Sequence, residues 1–150
     1  MTTDNVFIEH QITNAVRSLL TGRVNELLEK SEFVIPLIEF GDNECGSTVA
    51  PVITLSTCER TEKERIVRLD AYSMTITFTL HESLESELRC YAYAGAVGRA
   101  FYDNPTLDGV VNKAVICGKK YTQPKKPNCG DEWSLSISVR LTVEGADNAG

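Results

Sequence analysis

Trp133-Ser-Leu-Ser-Ile-Ser-Val-Arg-Leu-Thr-Val143 alternates apolar and polar residues without an error. Successive side chains of a strand point to opposite faces, so this run reads as a strand with one face buried and one wet. Just upstream, Tyr91-Ala-Tyr-Ala-Gly-Ala-Val-Gly-Arg-Ala-Phe101 reads as a thin helix whose small residues allow close backbone approach to a sheet. It breaks at Asn104-Pro105-Thr106-Leu107, because proline cannot continue a helix. A strand, Val110 to Lys120, and a hairpin rich in lysine and proline link the two runs. The last third of the chain is thus a sheet-and-helix tile with a projecting loop, which fits an assembly part better than a catalyst.

Working toward the N-terminus, apolar residues Ile8, Ile12, Val16, Leu19, Leu20, Val24, Leu27 and Leu28 recur at three- and four-residue steps from Asn5 to Lys30. That spacing predicts an amphipathic helix, with Thr3 or Asp4 as its cap. Gly22 costs roughly 1 kcal/mol against alanine there, so a bend or an early end is expected. Phe33 to Phe40 reads as a short strand closed by Gly41-Asp42-Asn43, and Val52 to Glu59 as a second. The run Glu59-Arg-Thr-Glu-Lys-Glu-Arg65 is taken as the turn into a long third strand, Ile66 to Leu80. There Tyr72, Met74, Ile76, Phe78 and Leu80 face the core, and Ser73, Thr75, Thr77 and Thr79 face away. Ser83 is placed to cap the second helix, Leu84 to Tyr102.

The expected fold is therefore α+β: a single domain over residues 1–145, order α-β-β-β-α-β-β. A mainly antiparallel sheet of about five strands carries two helices packed on one face, and 146–150 form a flexible tail. At about 3.3 Å per residue the third strand spans roughly 50 Å, far beyond the usual length. Ribbons that long project, and projecting ribbons expose edges that an oligomer uses.

Composition narrows the function. With 150 residues and 42% hydrophobic content, the chain supports one real core. No run approaches the roughly 18 apolar residues of a membrane span, and the start lacks the basic and apolar regions of a signal peptide, so a reducing cytoplasm is expected. Cys45, Cys58, Cys90, Cys117 and Cys129 are odd in number and scattered, which fits free thiols filling apolar space. The only histidines are His10 and His81, too few for a zinc site or a paired nucleophile. A net charge of −6 disfavours a general nucleic-acid binder. No phosphate-binding, dinucleotide or nucleophile-elbow motif occurs. No catalytic residue, cofactor or metal is expected.

Two charged stretches remain. Glu59, Arg60, Glu62, Lys63, Glu64 and Arg65 form a mixed-sign run suited to keying a neighbour's register. Lys119, Lys120, Lys125 and Lys126 give a local positive tip on an acidic body.

The helix Tyr91-Ala-Tyr-Ala-Gly-Ala-Val97, the turn Asn104-Pro-Thr-Leu-Asp-Gly109, the loop Gly118-Lys-Lys-Tyr-Thr-Gln-Pro-Lys-Lys126 and the closing strand to Val143-Glu-Gly145 carry a resemblance. Together with Arg65-Ile-Val-Arg-Leu-Asp-Ala-Tyr72 and the first helix, they resemble the tail terminator, or tail completion, proteins of long-tailed bacteriophages and prophages. The resemblance implies a small non-enzymatic subunit that closes into a ring, typically of six copies. Such a ring caps the tail tube protein, ends its polymerisation and meets the head connector or completion protein. DNA passes through its lumen without sequence-specific binding. The expected location is the virion tail or neck, and the host cytoplasm during assembly, with no membrane. A head-completion or connector adaptor and a tail-tube protein stand close to this reading. A small-molecule-binding α+β domain or an enzyme is the more remote alternative.

Overall fold

The computed structural model describes residues 6–41, 48–63, 67–81, 85–124 and 132–146. The long alternating run does become a strand, and everything else is arranged around it. Among the described residues the main sheet has four strands in the order β3 (Val52–Lys63), β4 (Val67–His81), β6 (Glu132–Ala146) and β5 (Lys113–Thr122), every neighbour antiparallel. The two central strands pair without irregularity over their whole length, from Val67 opposite Ala146 to His81 opposite Glu132.

Alternation then fixes the core. Tyr72, Met74, Ile76, Phe78 and Leu80 of β4 and Leu135, Ile137, Val139 and Leu141 of β6 are all buried on one face. The helices that cover this face are α1 (Ile8–Leu19), a π turn (Leu20–Val24), α2 (Asn25–Glu29) and α3 (Ser86–Asp103). Ile12, Val16, Leu20 and Val24 form the buried stripe of the first rod. The ring of Tyr93 on α3 stacks on Phe78, centroids 4.7 Å apart. Both helices lie on the one face, as the hydropathy pattern requires. The Ser and Thr rows of β4 and β6 lie on the other.

Several sequence expectations are refined or corrected. Near Gly22 the regular α-helix does end early: α1 closes at Leu19, the chain widens into the π turn and resumes as α2. Among the described residues the expected mainly antiparallel sheet has four strands, with a small parallel pair beside it. Of Phe33–Phe40 only β1 (Leu37–Ile38) is a strand, and it pairs in parallel with β2 (Thr48–Val49) in a small separate sheet. The cause is local. Buried Asn25 donates to the Ile38 carbonyl at 2.8 Å and accepts from the Ile38 N–H at 2.7 Å, while the Tyr93 hydroxyl donates to the Pro36 carbonyl at 2.6 Å. Side chains thus take the backbone groups that a place in the main sheet needs, and Phe33 and Val34 are left exposed.

The charged run after Glu59 is not a turn: β3 continues to Lys63, paired along β4. Its alternating signs suit an edge strand, where charge discourages unwanted pairing. Finally, β5 begins at Lys113 instead of Val110. Leu107, Asp108 and Gly109 have φ of 50°, 58° and 90°, a left-handed turn that is rare for residues with a Cβ. Burial of Leu107, 2% exposed, helps hold it, as does the Asn104 side chain, which accepts from the Asp108 N–H at 3.0 Å. Pro105 follows the helix end as expected, with α3 closing at Asp103. The proposed caps Thr3, Asp4 and Ser83 lie outside the described residues, as do Cys45, Cys129 and the tail beyond Ala146.

Candidate assembly interface

The two outer strands are thinly covered over half their length. Residues 56–61 of β3 and 117–122 of β5 are all exposed. Cross-strand register places these segments at opposite ends of opposite edges: Thr61 shares its end of the sheet with Leu69 and Glu144, and Thr122 shares the other with Ser134 and Thr79. No described residue pairs with the outer side of either strand. Such edges carry unused N–H and C=O groups, a template for another chain.

The sequence-selected charges separate into distinct situations. Glu59 is exposed on the open face, opposite Ala71. Arg60 faces the helix side and grips Asp70, Nε to Oδ1 at 2.8 Å and Nη2 to Oδ2 at 3.3 Å. Asp70 is 6% exposed, so this forked pair belongs to the sheet more than to a free docking charge. Glu62 and Lys63 are strand positions opposite Arg68 and Val67. Glu64, Arg65, Lys125 and Lys126 lie outside the described residues. Lys119 and Lys120 are in strand β5, not in a loop, and point to opposite faces. Lys119 sits opposite Ile137 and reaches over Gly98 of α3; Lys120 sits opposite Ser136 on the hydroxyl face.

Two concave sites among the described residues bear on this surface. One of about 640 Å³ lies between α1 and the left-handed turn and includes Gln11, Asn14, Ser18, Arg23 and Asp108. Its cation is already engaged, since Arg23 pairs with both Glu26 and Asp103. The other, about 370 Å³, is mostly apolar and runs beside β5, with Gly98, Phe101, Tyr102 and Pro105 facing Ala114 and Ile116.

The perturbed titratable groups are structural. Burial, and then the hydrogen bond it donates to Glu9 at 2.6 Å, hold the Tyr72 phenol above its ordinary value. Burial does the same to Tyr93 and to the Cys90 thiol. Cys90 is the apolar filler the sequence led us to expect, whereas Cys58 and Cys117 are exposed on the two edge strands. Among the described residues no group of three His, Cys, Asp or Glu side chains is placed to hold a metal, and no helix is long and apolar enough to cross a membrane.

Sequence reasoning missed Lys113, which is exposed on the open face of β5 opposite Thr142. Only strand register reveals it, because its neighbours Asn112 and Ala114 give it no charge cluster. No known protein family matches the chain, and no curated protein matches it in sequence.

Proposed function

We propose that this chain is a structural subunit of a bacteriophage or prophage tail, a terminator that assembles into a ring on the end of the tail tube. The observation that carries the reading is the pair of long outer strands with unused edges on a sheet that, among the described residues, is covered on one face only. A subunit whose two different edges meet in successive copies forms a ring when the rotation closes. In this role the protein has no catalytic step: it stops tube growth, joins the tail to the head connector or completion protein, and lets DNA through its opening. Six copies and a place in the virion neck follow from the resemblance of the helix, turn and closing strand.

Negative-stain microscopy of the purified protein tests this. Discrete rings with a central opening are expected. Long tubes would favour a tail-tube subunit, and isolated particles of monomer size would contradict both.

A further inference from the structure

The two outer edges are complementary to each other in direction, register and charge. Four alternating strands make β3 and β5 run opposite ways, so the β5 edge of one copy meets the β3 edge of a second in antiparallel sense. The helix-covered faces then stay on the same side. Rows across the sheet fix the level: Glu59 aligns with Ala71, Thr142 and Lys113, and Val52 aligns with Thr77, Ser136 and Lys120.

Each edge strand also carries one irregularity against its inner neighbour, between Leu55 and Thr57 on β3 and between Ile116 and Gly118 on β5. Both flank the row of Met74 and Val139, because Leu55 pairs with Met74 and Ile116 with Val139. The extra residue of β3 lies on one side of that row and that of β5 on the other, so the two offsets cancel over the rest of the strands when these face each other. Edge-to-edge pairing therefore runs without a bulge from Lys113 opposite Glu59, through Val115 opposite Thr57 and Gly118 opposite Thr54, to Lys120 opposite Val52.

The geometry points to this ladder, the β5 edge of one copy against the β3 edge of the next, as the contact by which the chain assembles. Lys113 and Glu59 then stand as an opposite-charge pair on the open face. Cys58 comes beside Ala114 at the mouth of the apolar groove, where alternate side chains of an added strand are received. The charges lean the same way: β5 carries three lysines and no acid, while β3 carries Glu59 and Glu62 against Lys63, with Arg60 engaged by Asp70. The inference rests on the ring reading only in taking a second copy as the partner.

The test is a charge swap read by light scattering against concentration. Lys113→Glu and Glu59→Lys each weaken association by roughly two- to fivefold per contact, and the double variant recovers it. A second measurement mixes Lys113→Cys and Glu59→Cys proteins with a short bis-maleimide. A cross-linked peptide joining positions 113 and 59 is expected, since directly opposed Cβ atoms lie about 5 Å apart. An assembled wild type whose swap shows no recovery, or a cross-link joining two copies of position 113, overturns this register and leaves the ring reading standing. A wild type that stays monomeric overturns both.

Discussion

One residue step along β6 separates two different kinds of surface. Leu135, Ile137, Val139 and Leu141 are at most 2% exposed, while Ser134, Ser136, Ser138 and Arg140 between them face away from the helices. The same backbone thus serves a close-packed interior and a face rich in hydroxyls, where Thr77 and Ser136 approach at 3.4 Å. The lesson is that stability comes from one side of the sheet. The other side and the two edges are left to whatever meets the molecule.

Removing bulk from the packed side should have the largest effect. Phe78→Ala loses the stack on Tyr93 and opens a cavity, and is expected to cost about 3–5 kcal/mol in urea unfolding. Thr75→Val on the hydroxyl face should stay within about 0.5 kcal/mol. Similar losses from both would break the contrast between the faces.

The next effect belongs to the helical layer. Asn25→Ala leaves the N–H and carbonyl of Ile38 without their side-chain partner, an expected cost of about 1–3 kcal/mol, and hydrogen exchange should show β1 opening first.

Alkaline pH probes the same side more gently. Tyr72 and Tyr93 both sit above the ordinary value of 10.0 in the folded protein. Their contribution is fully present below pH 10 and is lost as pH rises beyond it, because the unfolded chain ionises there and the folded one resists. Thermal melts from pH 8 to 11 should fall above 10, and Tyr72→Phe should flatten part of that fall.

The smallest effect sharpens the comparison by stabilising. Gly95 is exposed on α3, and a Cβ there meets nothing within 4 Å, so Gly95→Ala should add about 0.5–1 kcal/mol without changing assembly.

Much of this architecture is legible in residue order because burial acts through period. The β4 and β6 alternation and the Ile12, Val16, Leu19 stripe each name their buried face directly. The clearest failure comes from side chains standing in for backbone. Asn25 and Tyr93 remove Phe33–Phe40 from the main sheet, and neither bond has a sequence signal across such separations. Gly22 signals weakness in the helix but not its remedy, since a π turn keeps the backbone bonded. At the edges, charge drew attention to Arg60 and Lys119, of which one is committed to Asp70 and the other lies over α3. The Lys113–Glu59 match needs the register of three strand pairs, which composition does not carry.

Light scattering of the wild-type protein across a hundredfold concentration range tests the central claim most directly. The account predicts one closed species of several subunits whose mass stays constant once formed. A particle of single-chain mass at every concentration would contradict it.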